Sequence, residues 1–100
     1  LRMVHYILLK LTKDADVTSI YFRCRKACAE LEMELPFVHD TDVYRCETAR
    51  GSNADIMVVM HLDGPEYLND YLRHPKRQAL VDEMKDYVLE RMSFDEKEAC

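Results

Sequence analysis

Two basic residues, Lys76 and Arg77, directly follow a proline at a predicted helix start, where they could bind an anion. Pro75 fits the first turn of a helix, and the unpaired N–H groups and the dipole there favour negative charge. Two exposed cations at this end cost about 0.3 to 1 kcal/mol each, and an anion would remove that cost. One hypothesis is therefore that Arg77 and Lys76 hold a small acidic ligand. The alternative is that both side chains extend into solvent or pair with Asp82, Glu83 or a partner chain.

The other residues with reactive or metal-binding side chains are better explained by packing and helix geometry. Cys24 and Cys28 lie one turn apart on the apolar side of a predicted helix, where cysteines are typical small core residues. His74 precedes a proline, which pushes it out of helical geometry, and we interpret it as a hinge and helix cap. The histidines and cysteines do not have the spacing of a metal site, so no metal is predicted. With only two glycines, Gly51 and Gly64, the chain has no phosphate-binding loop and no nicotinamide or flavin fingerprint, and no cofactor is predicted.

Length, composition and charge restrict the class of protein. Residues 1–100 suit a single domain with one core. The longest apolar run, Ile56 to Met60, is far too short to span a bilayer. The 14 Lys and Arg against 19 Asp and Glu give a net charge of -5, so neither nucleic acid nor a membrane is predicted as a partner. Four cysteines without a Cys-x-x-Cys pair or a secretory leader favour reduced thiols in a cytoplasmic protein.

The hydrophobic pattern alternates between strand and helix periods along the chain. The predicted elements are a strand at Met3–Leu11, a helix at Val17–Leu35, strands at Asp42–Thr48 and Ala54–Leu62, a helix that Asp63 caps and that breaks at His74-Pro75, and a last strand at Arg91–Asp95. This order is typical of the ferredoxin-like α+β fold, in which two split β-α-β units build one antiparallel sheet.

The predicted strands are apolar on both sides. In the strand at Ala54–Leu62, Met57 and Val59 point one way while Ile56 and Val58 point the other. An antiparallel sheet that packs on helices through one face normally presents a polar second face to water. Because two helical segments cannot cover both faces, we predict a homodimer in which the second sheet face packs on the same face of another copy.

Two segments, Met3-Val-His-Tyr-Ile-Leu-Leu-Lys10 and Asp70-Tyr-Leu-Arg-His-Pro75, carry a resemblance to a known family. They resemble the stress-responsive dimeric α/β-barrel family, and the likeness runs from Met3 to about Asp95. The resemblance implies a homodimeric barrel with a small pocket between the sheet and the helices of each subunit. For most members of the family it implies no established reaction, although related barrels include small cofactor-free oxygenases.

One plant member of this family, a cyclase that closes the ring of olivetolic acid, uses a tyrosine and a histidine in the motif Tyr-x-x-His-Pro-x-His. Tyr71 falls at the tyrosine position and His74 at the first histidine, whereas Arg77 stands in place of the base histidine. A guanidinium stays protonated, so Arg77 cannot act as that base. His5 matches a histidine of the cyclase pocket, and Asp55 falls where that enzyme has another. The resemblance thus implies Tyr71, His5 and Asp55 as candidate catalytic residues in a modified acid/base arrangement.

Each of these three residues also has a structural interpretation. His5 could be a hydrogen-bonded packing residue on its strand. A buried carboxylate costs several kcal/mol unless it is paired, which favours a place for Asp55 at a strand end near water. The ring of Tyr71 could be part of the core, with its hydroxyl reaching the surface.

Two classes of function remain open. The first is a non-catalytic stress-responsive barrel that binds a small amphipathic or acidic molecule in an apolar pocket, whose predicted lining is Ile7, Leu9, Met57, Val59, Leu80 and Arg77. The second is a cofactor-free enzyme, either a polyketide cyclase-like aldol catalyst or a small oxygenase. Convergence of His5, Asp55 and Tyr71 on a cavity of about 300 Å³ or more would favour the enzyme.

Overall fold

The computed structural model describes residues 2–98, which form one four-stranded sheet and a layer of helices. In chain order the elements are β1 (Met3–Leu11), α1 (Val17–Glu34), β2 (Val38–Arg45), β3 (Ile56–Leu62), a 3₁₀ turn (Pro65–Tyr67), α2 (Leu68–Leu72), α3 (Pro75–Met84) and β4 (Val88–Lys97). The predicted ferredoxin-like α+β fold is confirmed, including the helix that breaks before Pro75. No helix within residues 2–98 is both long and apolar enough to cross a membrane.

The sheet has the strand order β2-β3-β1-β4, and all neighbouring strands are antiparallel. On β1, Ile7 lies opposite Val58 of β3, and both side chains are buried against the helices. The next residue along β1, Leu8, lies opposite Met57 and points to the other face. We call the face that packs on the helices the inner face and the opposite one the outer face.

The outer face is apolar and open to solvent in the single chain. Leu8 of β1 is 37% exposed, and Met92 and Phe94 of β4 are 64% and 66% exposed. On the same face, Tyr6 of β1 lies opposite Val59 of β3, and both side chains are half-buried. A soluble chain rarely leaves such a continuous apolar surface in water.

Helix α1 is capped by a side chain at its start and ends at an extended residue. Asp16 is extended, and its carboxylate accepts a hydrogen bond from the N–H of Ser19 at 3.2 Å, which satisfies one unpaired donor of the first turn. The helix ends at Glu34, since Leu35 is extended and a proline follows. Its buried side chains repeat at helical spacing and face the sheet: Ile20, Cys24, Cys28 and Leu31. The prediction that the two cysteines are core residues is confirmed.

The break between α2 and α3 is produced by His74. Its backbone is extended, with ψ 134°, and its Nδ1 accepts a hydrogen bond from the N–H of Lys76 at 3.1 Å. The other ring nitrogen, Nε2, lies 3.4 Å from a carboxylate oxygen of Glu34 on α1. His74 therefore caps α3 and ties it to α1, as the hinge-and-cap prediction required.

Three predicted elements differ from the structure. Asp63 does not cap a helix, because its carboxylate lies 2.8 Å from Nε2 of His39, and Gly64 starts the 3₁₀ turn instead. Strand β2 occupies 38–45 rather than 42–48, since its N-terminal half pairs with the end of β3 despite its polar residues. Strand β4 spans 88–97 rather than 91–95, because β1 supplies backbone partners along its whole length.

Candidate functional site

A buried histidine and a carboxylate meet on the inner face of the sheet. His5 of β1 is 4% exposed and lies opposite Asp95 of β4. Nδ1 of His5 is 2.5 Å from Oδ1 of Asp95, a short charge-assisted contact. When Nδ1 carries the proton and donates it to Asp95, Nε2 is left as a hydrogen-bond acceptor. The ring of Tyr71 from α2 packs edge-on against the imidazole, with 5.7 Å between ring centroids.

A small cavity lies next to Tyr71, between the inner face of the sheet and helices α1 and α3. Its volume is about 30 Å³, and its walls are mainly apolar. The lining includes Ile7, Leu9 and Val58 from the sheet, Cys24 and Cys28 from α1, and Leu80 and Met84 from α3. The polar lining comes from Tyr71 and two arginines, Arg77 of α3 and Arg91 of β4. A volume of this size has room for one or two water molecules, so a ligand must enlarge it.

Arg77 is directed into this cavity rather than toward solvent. Its Nη1 donates a hydrogen bond to the carbonyl oxygen of Leu72 at 3.3 Å. Its Nε is buried and has no hydrogen-bond partner within residues 2–98. A buried donor without a partner loses its hydrogen bonds to water and gains none within the protein, which lowers the free energy of unfolding.

The electrostatics of the cavity keep its hydroxyl and thiol groups neutral. Burial raises the pKa of the Tyr71 hydroxyl above its usual value, and the nearby Cys28 adds to this, while Arg77 and Arg91 oppose it. Burial also raises the pKa of Cys24 to about 11 and that of Cys28 to about 12. Partial burial and the nearby charge of Arg77 lower the pKa of Arg91. The charge in the cavity lining at neutral pH is therefore positive.

Lys76 and Arg77 point in different directions, so the predicted anion site that uses both is wrong. Nζ of Lys76 lies 2.5 Å from a carboxylate oxygen of Glu30 and 3.6 Å from one of Glu34, both on α1. The hydrogen bond with Glu30 raises the pKa of Lys76 and lowers that of Glu30. Lys76 is thus neutralised at the surface. Arg77 alone turns inward, because it lies one residue further around α3.

Asp55 does not join the other candidate catalytic residues. Its carboxylate accepts a hydrogen bond from the backbone N–H of Leu11 at 2.7 Å, just before β3 begins. Leu11 is six residues from His5 along β1, roughly 20 Å in an extended strand. The predicted pairing of Asp55 with His5 is wrong, and the strand-end interpretation is right. Asp95, which the sequence did not single out, supplies the carboxylate.

The predicted pocket lining is divided between two faces of the sheet. Ile7, Leu9, Leu80 and Arg77 line the cavity, whereas Met57 and Val59 lie on the outer face and do not. The error arose because β3 is apolar on both sides, so its pattern cannot show which side faces the helices. The pairing of β3 with β1 shows which side of β3 faces the helices, and it places Val58 in the cavity lining. The sequence did not indicate Arg91 as a lining residue, because it is polar and the apolar residues beside it, such as Met92, point to the outer face.

These features define a subunit of the ferredoxin-like α+β class with a cavity on the helix side of its sheet. The chain belongs to the Stress responsive A/B Barrel Domain family, whose sequence pattern it matches over residues 3–98. Comparison with curated proteins finds no match.

Solved structures share the fold at low sequence identity. A dimeric ferredoxin-like protein of unknown function from Bacteroides fragilis superposes with a TM-score of 0.82 at 17% identity, covering 96% of this chain and 95% of that one. A Dabb family protein from Mesorhizobium loti gives 0.72 at 16% identity, covering 99% and 98%. A putative antibiotic biosynthesis monooxygenase from Nitrosomonas europaea gives 0.78 at 10% identity, covering 95% and 88%. At these identities the likeness establishes the fold alone.

Proposed function

We propose that this protein is a homodimeric stress-responsive barrel that binds a small amphipathic molecule in the cavity between the sheet and its helices. The observation that carries the proposal is a buried apolar cavity whose wall contains an arginine, Arg77, with an unpartnered Nε. A core that served packing alone would fill this position with an apolar side chain. Amphipathic ligands combine apolar contact with a few polar anchors, which matches this lining.

The homodimer forms through the outer face. That face carries Leu8, Met92 and Phe94 in exposed positions, and two copies packed through it would remove them from water. A solved structure of similar fold is described as dimeric, which supports a dimer here.

The cavity is tested by methyl NMR with a matched set of eight-carbon amphiphiles, octanol, octanoate and octylamine. Neighbouring methyl groups provide internal controls, since Leu9 and Val58 face the cavity while Leu8 and Val59 face outward. We expect at least one amphiphile to shift the signals of Leu9 and Val58 and to raise the melting temperature, as binding to the folded state requires. Shifts confined to Leu8 and Val59, or no shifts at all, would overturn the proposal.

A second candidate function, a cofactor-free acid/base catalyst, is favoured by the contact between His5 and Asp95 beside Tyr71. A carboxylate that fixes the imidazole tautomer leaves Nε2 able to accept a proton from a carbon acid. The test is deuterium exchange at the carbon between the carbonyls of a small diketo acid. We expect exchange that His5→Gln and Asp95→Asn remove, and that Asp55→Asn leaves unchanged. Equal exchange in all three variants and the wild type would exclude this candidate.

A further inference from the structure

Two arginines face one cavity without a carboxylate to balance them. Neither Arg77 nor Arg91 has an acidic side chain within 4.0 Å among residues 2–98, and the cavity lining contains no Asp or Glu. The chain has 19 acidic residues against 14 basic ones, so carboxylates are not in short supply. Arg23 pairs with Glu83 and Lys76 with Glu30 at the surface. Arg77 and Arg91 differ from the other basic residues because both line one cavity.

The two guanidinium groups come from separate elements on either side of the cavity. Arg77 lies in the first turn of α3, and Arg91 lies on the inner side of β4, opposite Leu9. Like charges across a space of about 30 Å³ repel each other, and burial removes water from Nε of Arg77. An anion between them would relieve the repulsion and give the buried Nε of Arg77 an acceptor.

A groove on the protein surface lies beside this cavity. It lies between α1 and α3, has a volume of about 450 Å³, and shares Ala27 and Leu80 with the cavity lining. Its apolar part is formed by Ala27, Ala79 and Leu80. The rest of its lining is charged and comes from Arg23, Lys26, Glu30, Lys76 and Glu83. Because Leu80 lines both spaces, a ligand that occupies both must displace its side chain. The combined space suits a ligand with a small polar head and a longer tail.

We propose that Arg77 and Arg91, with the hydroxyl of Tyr71, bind the carboxylate of an amphipathic monocarboxylic acid whose tail occupies the groove between α1 and α3. The inference rests on the cavity binding proposed above and names its ligand class. A planar carboxylate matches the paired donors of a guanidinium. The tail replaces Leu80 at the cavity mouth and packs on the small side chains of the groove.

The test compares octanoate with octanol, which share a tail and differ in the head group. Dissociation constants are measured by calorimetry for the wild type and for Arg77→Gln, Arg91→Gln and Arg73→Gln. Arg73 is an exposed arginine four residues before Arg77, so it is the matched control. We expect the wild type to prefer octanoate by roughly tenfold or more, the effect of one charge-assisted hydrogen bond. Arg77→Gln and Arg91→Gln should lose that preference, and Arg73→Gln should keep it.

Several outcomes would overturn the carboxylate site. Equal affinity for octanoate and octanol would do so and would leave cavity binding intact, so the two proposals fail separately. An octanoate preference that survives both Arg77→Gln and Arg91→Gln would also overturn it. Arg91 lies on an exposed strand, so Arg91→Gln provides the test even where Arg77→Gln does not fold. Arg77→Lys keeps the charge and loses the paired donors, and we expect an intermediate preference from it.

Discussion

Arg77 occupies a position that costs the folded protein stability. Its Nε is buried without a hydrogen-bond partner, and its charge lies near that of Arg91. The carbonyl of Leu72, which Arg77 contacts, also accepts a hydrogen bond from the side chain of Gln78 at 3.0 Å. Arg77 is therefore not needed to satisfy this carbonyl. A residue that weakens the fold and faces a cavity is typical of a binding site.

Replacing Arg77 by methionine should stabilise the ligand-free protein. The change removes an unpaired buried donor and a repulsive charge while it keeps much of the side-chain volume, so we expect the free energy of unfolding to rise by about 1 kcal/mol. Urea denaturation measures it. Arg73→Met is the control and should stay within about 0.5 kcal/mol of the wild type. A loss of stability of the size seen for core truncations would show that Arg77 supports the fold.

The buried thiols should make stability fall at high pH. The pKa of Cys24 is about 11 and that of Cys28 about 12 in the folded protein, against 9.0 for an ordinary thiol. A raised pKa means that the folded state holds its protons more tightly, so this contribution is complete below pH 9.0 and is lost as pH rises through 11 to 12. Melting temperatures between pH 8 and 11 measure the decline. Cys28→Ala should show a shallower decline, and an identical slope in both proteins would contradict the assignment.

The same burial should protect both thiols from alkylation. Only the thiolate reacts, and at pH 8 a raised pKa leaves very little of it. In contrast, Cys46 is exposed and lies between β2 and β3. We expect iodoacetamide to modify Cys46 in the native protein and to reach Cys24 and Cys28 only in denaturant, as peptide mass spectrometry would show. Native-state labelling of Cys28 at the rate of Cys46 would be inconsistent with a closed core.

At the scale of elements, α3 is oriented by the ring of His74. The ring accepts a hydrogen bond from Lys76 N–H and lies near Glu34, while Lys76 itself binds Glu30. These contacts hold the first turn of α3 against α1. Because Arg77 follows directly, the cap also fixes the direction in which its side chain enters the cavity.

Removing the cap should weaken this helix. His74→Ala leaves the N–H of Lys76 without its acceptor, and we expect a loss of about 1 kcal/mol in the free energy of unfolding. His74→Asn offers another acceptor at the same position and should restore most of the loss. The urea denaturation midpoints of the two variants and the wild type measure this loss and its recovery. Equal losses for alanine and asparagine would mean that the ring acts through packing and not as a cap.

The sequence predicts these elements well where one side of an element is buried and poorly at the polar edge. β1 and α1 were predicted to within a residue, because apolar spacing marks both. The predicted last strand, 91–95, contains Arg91 and Asp95, but its pattern does not show that their side of the strand faces the helices, because the apolar residues Met92 and Phe94 point the other way. Arg91 and Asp95 could have been found by pairing β4 with β1 in an antiparallel register. The face on which Met57 lies could not have been predicted in this way, because β3 is apolar on both sides.

At the scale of the whole molecule, the proposed ligand and the proposed second copy use opposite faces of the sheet. The inner face packs on the helices and contains the cavity, and the outer face has exposed apolar side chains. In this proposal, contacts for the ligand and contacts for the partner come from alternating residues of the same strands. A substitution on one face should leave the role of the other unchanged.

A charge on the outer face should separate the dimer without unfolding the subunit. Met92→Lys places a cation among Leu8 and Phe94 on the outer face, and we expect a monomer at micromolar concentration in sedimentation velocity. Met33→Lys is the matched control, because Met33 is 87% exposed on α1, away from this face. It should remain a dimer. A wild type that already sediments as a monomer would rule out the proposed assembly.

A crystal structure of the protein with octanoate would show directly whether Arg77 and Arg91 bind the acid. We predict that the carboxylate lies within hydrogen-bonding distance of Nε of Arg77 and of the guanidinium of Arg91, with Leu80 turned aside and the tail between α1 and α3. Octanoate bound only on the outer face, with Leu80 still closing an unchanged cavity, would contradict the account.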